Sequence, residues 1–216
     1  MIISPGRNFI FVHIPKTGGS SMALALEERA HKDDILIGDT PKAKRRKGRL
    51  DTLRPKGRLW KHSTLADIDG IVSSEVLAQM FIFTLVRNPW DRMVSYYHWL
   101  RDQHFEHAAV SLAKSKSFEG FVRDAQTAAT FQAAPYASYV TDATGQERAT
   151  TFVRLEALEA DLAPVWDHLG FRVAVPHVNR SARPKDYRMA YTDETADIVA
   201  RICAVDIARF GYHFSA

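Results

Sequence analysis

Near the start of the chain, a lysine, two glycines and three hydroxyl residues follow one another in the segment Pro15-Lys-Thr-Gly-Gly-Ser-Ser21. The apolar run before it, Phe9–Ile14, is typical of a strand buried on both faces. Glycines leave backbone N–H groups open to an oxyanion, and a helix that begins near Ser20 adds unpaired N–H groups and the positive end of its dipole. We therefore predict a phosphate-binding loop, whose contributing residues are Lys16, Thr17, Gly18, Gly19, Ser20 and Ser21.

This loop differs from the common nucleotide-binding loop in the position of its lysine. In the common loop the lysine follows the last glycine and the next hydroxyl holds Mg²⁺, whereas Lys16 precedes both glycines. A second apolar run, Phe81–Val86, is where a metal-binding aspartate would be sought, but Arg87 follows it. A cation at this point suits a second anion better than it suits a metal.

The residues after Arg87 predict a helix over 89–101. Asn88 is a favoured N-cap, and the proline that follows it fits the first helical position. Arg87 at the strand end and Ser95 on the helix could then hold a phosphate together. The competing interpretation is an ion pair between Arg87 and Asp91, with Ser95 as an ordinary residue of the helix surface.

Both motifs resemble those of the sulfotransferases that use 3′-phosphoadenosine 5′-phosphosulfate (PAPS). The segment 15–21 looks like their 5′-phosphosulfate loop, and Arg87-Asn-Pro-Trp-Asp-Arg-Met-Val-Ser95 resembles their 3′-phosphate motif, R-[DN]-P-x-x-R-x-x-S. A third segment, His177-Val-Asn-Arg-Ser181, is followed by Tyr187 and by a terminal helix that ends at Phe210-Gly-Tyr212. This arrangement is similar to the C-terminal part of the carbohydrate and bacterial membrane-type branch of the family.

The resemblance implies a donor, PAPS, and a reaction that transfers its sulfuryl group to an acceptor hydroxyl or amine without a metal. Lys16 and the loop N–H groups would lie where negative charge develops on the bridging oxygen as the sulfur–oxygen bond breaks. Arg87 and Ser95 would hold the 3′-phosphate, and Arg180 and Ser181 of the third segment would also belong to the cofactor-binding residues.

The candidate for the general base is His62, in the segment Leu59–Ile68. Thr64 and Asp67 have the T-x-x-D spacing of a capping box, so a helix is expected directly after the histidine. In the heparan-type sulfotransferases a histidine before a comparable segment is the base, and histidine titrates near neutral pH. The alternative bases are carboxylates, Asp67 or Glu156.

Several aromatic, amide and histidine side chains have two interpretations. A group that could line an acceptor cleft, or could simply pack in the core, consists of Phe105, Phe131, Gln132, Tyr136 and Tyr139. Three histidines invite a metal interpretation, but the acidic residues between them suit a solvated helix end and the implied chemistry needs no metal. These histidines are His98, His104 and His107.

Composition indicates one enzyme domain over residues 1–216. The chain is 46% hydrophobic and contains one cysteine, which excludes an internal disulfide framework. There is no leader-like start and no apolar run approaching ~20 residues, so we expect a cytoplasmic protein without a transmembrane segment.

The segment Lys42–Lys61 carries ten Lys and Arg against Asp51 alone. We expect it to be a mobile loop. It either draws an anionic acceptor or the donor to the active site, or has no such role and is a solvated loop or a nonspecific nucleic-acid patch.

Strands that alternate with helices predict a three-layer α/β domain with a central parallel sheet, similar to the P-loop nucleoside triphosphate hydrolases. Open parallel sheets bind ligands at the carboxyl ends of their strands, where Lys16, His62 and Arg87 would meet. The predicted function is transfer of the PAPS sulfuryl group to an acceptor hydroxyl, by default on a carbohydrate that could be anionic, with no specific nucleic-acid partner. The alternatives are an ATP-dependent kinase of the same fold and a noncatalytic polyanion-binding domain.

Overall fold

The computed structural model describes residues 1–176 and 186–215, and these form two compact units. The first unit consists of residues 1–86 and the described part of 136–179, and the second of residues 87–135 and the described part of 180–216. The single domain expected over 1–216 stays a prediction.

The first unit contains a five-stranded sheet. Its strands are β1 (Ile2–Ser4), β2 (Phe9–Val12), β3 (Ile35–Leu36), β4 (Phe81–Val86) and β5 (Thr151–Arg154). They lie in the order β3-β1-β2-β4-β5, with β2, β4 and β5 parallel to one another and β1 antiparallel to both β2 and β3. The central strands are therefore parallel as predicted, but the sheet as a whole is mixed.

Strand β1 was not expected from the sequence. It has three residues, too few for a periodic signal, and a 3₁₀ turn over Pro5–Arg7 joins it to β2. The turn ends at Asn8, whose φ of 51° is one that asparagine tolerates better than most residues. A short connection is enough because antiparallel neighbours need no crossover.

Of the helices in the described residues, three have ten residues or more and the others have eight or fewer. In chain order they are α1 (Gly19–Glu28), α2 (Pro41–Arg45), α3 (Ser74–Leu77), α4 (Pro89–Arg101), α5 (Ala108–Ser115), α6 (Phe118–Val122), α7 (Ala125–Gln132), α8 (Tyr136–Tyr139), α9 (Leu158–Asp161), α10 (Ala163–Leu169), α11 (Asp193–Ile202) and α12 (Ala204–Phe210). Within the described residues, none is both long enough and apolar enough to cross a bilayer.

The sheet of the first unit is covered on both faces, which gives the three layers that were predicted. Because side chains alternate along a strand, Phe9 and Phe11 of β2 join one buried cluster, together with Met22 of α1 and Val165 of α10. The intervening residues Ile10 and Val12 join the cluster on the opposite face. That second cluster is completed by Leu65, Ile68, Val72 and Leu77.

The segment after His62 forms turns where a helix was predicted. The reciprocal bonds of the capping box are present, since Asp67 Oδ2 accepts from Thr64 N at 2.8 Å and Thr64 Oγ1 accepts from Asp67 N at 3.2 Å. However, the carbonyls of Asp67 and Asp69 accept from the backbone N–H groups of Gly57 and Lys56. These bonds take the place of the i to i+4 bonds of a helix, so pairing with a distant segment overrides the local signal.

The basic segment 42–61 has secondary structure where a mobile loop was expected. Helix α2 begins it and a 3₁₀ helix over Lys47–Thr52 follows. Three of its cations donate to backbone carbonyls in and after the last turn of α1: Lys42 to Glu27, Arg46 to His31 at 2.7 Å and Arg49 to Lys32. Cations favour this end of a helix because its carbonyls lack intrahelical partners. Part of the charge therefore has a structural role.

The second unit contains helix α4, whose bounds agree with the prediction. Asn88 caps it, because its side-chain oxygen accepts from Trp90 N at 3.1 Å. Trp90, Val94, Tyr97 and Leu100, which recur at helical spacing, are all buried. The indole N–H of Trp90 donates to the carbonyl of Ala196 in α11 at 2.9 Å, which ties the two helices of this unit together.

Candidate active site

The predicted phosphate-binding loop lies between β2 and α1 in the first unit. Two of its residues have left-handed backbone conformations, Lys16 with φ of 67° and Gly18 with φ of 90°. Glycine adopts this conformation without steric cost, whereas a lysine in it is uncommon and marks a constrained turn. The hydroxyl of Thr17 donates to the carbonyl of Ile14 at 2.9 Å and is fully buried. The side chain of Thr17 therefore braces the turn from within, and the part of Thr17 in donor binding stays a prediction.

The two glycines of the loop have no room for side chains. A Cβ on Gly18 would lie 2.9 Å from Leu155 Cδ1, and a Cβ on Gly19 would lie 2.0 Å from Cδ2 of the buried His13 ring. Helix α1 begins at Gly19, so the N–H groups of Gly19 and Ser20 precede its intrahelical bonds and point out of the helix end, whereas those of Ser21 and Met22 donate to the Gly18 carbonyl. This bare, amide-rich surface is suited to an oxyanion.

The structure brings His62 to this loop. Its Nδ1 lies 2.7 Å from the carbonyl oxygen of His13, the residue that follows β2. A carbonyl oxygen only accepts, so Nδ1 carries the proton and the Nε2 lone pair is the basic one. The rings of His62 and His13 are in edge-to-face contact, with centroids 4.6 Å apart, and the other side of the His13 ring abuts Gly19. One imidazole thus separates His62 from the first turn of α1.

Burial keeps His62 neutral in the free protein. It lowers the pKa of His62 to about 4, an effect that the positive charge of Lys61 increases and the hydrogen bond to the His13 carbonyl opposes. The pKa of His13 is also lowered well below its usual value, first by burial and then by the neighbouring His62. Both rings are therefore uncharged at neutral pH, and Nε2 of His62 is able to accept a proton.

The two carboxylates considered as alternative bases have different surroundings. The carboxylate of Asp67 is held by Thr64, whose backbone N–H and hydroxyl both donate to Oδ2, at 2.8 and 3.0 Å. Glu156 is exposed, in a 3₁₀ helix over Leu155–Ala157 that follows β5. Asp67 consequently has a structural role in the turn, and His62 is the candidate in direct ring contact with the residue before the loop.

The residues predicted to bind the second anion lie in the second unit. Arg87 is 9% exposed, and its Nε and Nη2 both donate to Oδ2 of Asp91, at 2.8 and 2.5 Å. The ion pair considered as a competing interpretation is therefore present, and it orients the guanidinium. Ser95 is buried on α4. Since Lys16 and His62 belong to the first unit, the meeting of Arg87 with them stays a prediction.

Helix α4 also contains a buried cation that was left out of the predicted site. Arg92 is 6% exposed and its Cζ lies 5.2 Å from the centroid of the Phe131 ring. The signal was in the sequence, because Arg92 occupies the second arginine position of R-[DN]-P-x-x-R-x-x-S.

Of the third segment, Arg180 and Ser181 lie outside the described residues. Tyr187, which follows them, donates from its hydroxyl to the carbonyl of Phe214 at 2.6 Å.

The remaining aromatic and histidine candidates divide between surface and core. Phe131 and Tyr136 are buried, which agrees with core packing, whereas Gln132 and Phe105 are exposed. His107 caps α5 by accepting from Ala109 N at 3.2 Å. Among residues 1–176 and 186–215, no three His, Cys, Asp or Glu side chains are grouped as metal ligands.

The sequence profile of the sulfotransferase family matches residues 1–212. The chain belongs to the sulfotransferase family. The family is PAPS-dependent, so the protein is a PAPS-dependent sulfotransferase with PAPS as its co-substrate. The family assignment agrees with the order of the two anion-binding motifs and favours sulfuryl transfer over the kinase and noncatalytic alternatives.

Among solved structures, the sulfotransferase is similar to mouse sulfotransferase SULT7A1 in complex with PAP, the desulfated product of PAPS. The two are 18% identical, with a TM-score of 0.44, and the alignment covers 95% of this chain and 67% of the mouse chain. No curated protein sequence matches the chain significantly.

Proposed function

We propose that this sulfotransferase transfers the sulfuryl group of PAPS to a carbohydrate hydroxyl, with His62 as the general base. The observation that carries the proposal is the hydrogen bond from His62 Nδ1 to the carbonyl of His13, at 2.7 Å. It leaves the Nε2 lone pair as the proton acceptor, beside a loop whose form suits an oxyanion. The carbohydrate acceptor is inferred from the resemblance of the third segment to the carbohydrate branch.

The loop would hold the 5′-phosphosulfate of the donor. Lys16 supplies a positive charge, and the first-turn N–H groups at Gly19 and Ser20 supply donors that are already oriented. The close packing of Gly18 on Leu155 and of Gly19 on the His13 ring supports this role, because it fixes the backbone whose N–H groups would meet the anion. These groups would stabilise the charge that grows on the bridging oxygen as the sulfur–oxygen bond breaks.

The 3′-phosphate of the donor would be held by residues of the second unit. Arg87 and Ser95 match the family's 3′-phosphate motif, and the bond to Asp91 limits the orientations of the Arg87 guanidinium. A charge-assisted bond from arginine to phosphate contributes roughly 1.5–3 kcal/mol, which is enough to separate PAPS from ATP as a donor. Arg180 and Ser181 belong to this proposal through the resemblance alone.

His62 would remove the proton from the acceptor hydroxyl. Nε2 takes the proton while the acceptor oxygen forms its bond to sulfur and the bridging oxygen leaves with PAP. A pKa of about 4 makes the free imidazole a weak base. The negative charge of a bound donor would raise that pKa toward neutral pH, because an anion stabilises the imidazolium.

The cytoplasmic location of the protein stays a prediction.

The experiment that tests the proposal is an acceptor screen with radiolabelled PAPS. The wild-type protein and His62→Ala are incubated with panels of saccharides, small phenols and peptides, and label transfer is counted. We expect transfer to a saccharide that is lost in the variant. Transfer to phenols or peptides but not to saccharides would overturn the carbohydrate assignment and leave the sulfotransferase reaction intact.

A further inference from the structure

A large aromatic side chain is exposed immediately before the candidate base. Trp60 is 42% exposed in the first unit, which leaves a large area of its aromatic surface open to solvent. It lies at the end of the basic segment, two residues before His62. Its indole is in edge-to-face contact with the His62 ring, with centroids 5.0 Å apart and an interplanar angle of 86°. The exposed aromatic surface is therefore continuous with the imidazole that would act as the base.

Hydrogen bonds between the Ser63 side chain and the backbone fix the turn that carries Trp60. The fully buried hydroxyl of Ser63 accepts from Trp60 N at 2.9 Å and lies within donating distance of the carbonyls of Arg58, at 2.9 Å, and Trp60, at 2.8 Å. Ser63 N also donates to the carbonyl of Trp60 at 2.9 Å. One buried side chain thus fixes the turn over 58–63, so that the indole is presented in a defined position without being covered.

A cation lies over the same indole. Arg58 is exposed, and its Cζ is 5.3 Å from the Trp60 ring centroid, a cation–π distance. Its basic neighbours are neutralised, since Lys56 pairs with Asp69 at 2.8 Å and Lys61 pairs with Asp39 at 2.7 Å. Within the described part of the chain, Arg58 has no such carboxylate partner. Its charge is available to a ligand that also covers the indole.

We propose that Arg58 and Trp60 form the acceptor subsite and bind an acidic sugar ring. The apolar C–H face of a pyranose would lie on the exposed part of the indole that the guanidinium leaves open, a carboxylate or sulfate on that sugar ring would pair with the guanidinium, and a hydroxyl would reach Nε2 of His62. This inference rests on the proposed function and adds to it the side chains that select the acceptor. Each of the three side chains would contact one group of the acidic sugar: the guanidinium its anionic group, the indole its apolar face and the imidazole its hydroxyl.

The test measures binding of two disaccharides to the PAP-saturated protein by NMR titration. One disaccharide contains glucuronic acid linked to N-acetylglucosamine, and the other contains glucose in its place and is neutral. The variants are Trp60→Ala, Trp60→Phe and Arg58→Gln. The matched control is Lys47→Gln, which removes the same charge from an exposed position of the basic segment.

We expect Trp60→Ala to weaken binding of both disaccharides about tenfold, and Trp60→Phe, which keeps an aromatic face, to restore most of the affinity. Arg58→Gln should weaken the acidic disaccharide about tenfold and the neutral one by less than about twofold, and Lys47→Gln should change neither by more than that. Unchanged binding to Trp60→Ala, or equal losses for Arg58→Gln and Lys47→Gln, would overturn the proposal.

The affinity for PAP separates this inference from the proposed function. Arg58 and Trp60 are not placed in the donor site, so every variant should bind PAP within about twofold of the wild type. Failure of the wild-type protein to bind PAP would count against the proposed function. PAP binding with no measurable binding of either disaccharide would overturn the acceptor subsite alone.

Discussion

The imidazole of His62 donates from Nδ1 to the carbonyl of His13, and this bond selects the nitrogen that accepts a proton. Residue identity alone leaves open which of the two ring nitrogens carries the proton. Contact with His13 on one side and Trp60 on the other buries the ring enough to lower its pKa. The chemistry of the site is therefore set by three aromatic residues and one backbone carbonyl.

Replacing His62 by alanine should separate catalysis from donor binding. We expect kcat to fall by ~10²–10⁴-fold while the affinity for PAP is retained, because the donor is held by other residues. Lys16→Ala should weaken PAP and lower kcat together, since Lys16 would contact the group whose charge grows in the transition state. The control is His104→Ala, at an exposed position. Near-normal single-turnover rates in His62→Ala would exclude His62 and direct attention to Asp67 or Glu156.

The protonation of His62 should depend on donor binding. A histidine NMR titration of the free protein should give a pKa of about 4, below the ordinary 6.5, because burial disfavours the charged ring. Addition of PAPS should raise this pKa. Only the neutral ring can act as a base, so acceptor turnover should increase with pH through the raised pKa and then level off. A free-protein pKa at or above 6.5 would contradict the burial argument.

At the level of elements, the loop between β2 and α1 depends on the ring of His13. The same ring lies against Gly19 and against His62, so the helix start and the candidate base share one support. The basic segment is a second case, because α2 and the 3₁₀ helix that follows it are attached to backbone carbonyls in and after the end of α1. In both cases the contacts join residues that are not neighbours in the chain.

Gly19→Ala should destabilise the protein and slow the reaction. The new Cβ would lie 2.0 Å from His13 Cδ2, so the buried ring must shift, at a cost of about 1–3 kcal/mol of unfolding free energy. Displacement of His13 would also disturb His62. The matched control is Gly48→Ala, where a Cβ would meet nothing within 4 Å and the melting temperature should stay the same or rise slightly. Equal melting temperatures for the two variants would contradict the close packing of Gly19 against the His13 ring.

The cations of the basic segment should divide into two classes. Arg46→Gln loses its bond to the His31 carbonyl and should lower the unfolding free energy by about 1 kcal/mol. The triple variant Lys44→Gln, Arg45→Gln and Lys47→Gln removes exposed charges, so it should unfold like the wild type. If these charges steer an anionic acceptor, its KM should rise at low salt and lose its salt dependence. Unchanged kinetics across ionic strength would support a passive surface.

For the whole molecule, the sulfotransferase family profile spans 1–212 and therefore both compact units. The residues assigned to the 5′-phosphosulfate and the base belong to the first unit, and Arg87 and Ser95 to the second. A donor that binds only the native state would raise the unfolding free energy of the protein.

PAP should raise the melting temperature much more than ADP at the same concentration. The two nucleotides differ in the 3′-phosphate, for which Arg87 is the proposed partner. Arg87→Ala should abolish most of this difference, whereas Asp91→Ala removes the partner of Arg87 but keeps the cation, and should reduce the difference less. The measurement is thermal unfolding over a series of nucleotide concentrations. Equal shifts for PAP and ADP in the wild type would contradict the assignment of the 3′-phosphate site.

The sequence by itself determined the features that local signals specify. Strand β4, the glycine loop after β2 and the bounds of α4 were predicted correctly, since apolar runs, glycines and the Asn88 cap act on their own neighbourhood. The family followed from two motifs in order. The nonlocal features were missed, among them β1 and the turns over 64–71 that replace a helix.

Only the tertiary structure decided the state of the candidate base and its surroundings. The tautomer of His62 depends on a carbonyl 49 positions earlier in the chain. The hydroxyl of Thr17 turned inward, and Trp60, which carried no sequence signal, was left exposed beside the base. The physical reason is the same in each case: hydrogen-bond partners and burial are set by what the folded chain brings into contact, and composition and spacing do not contain that information.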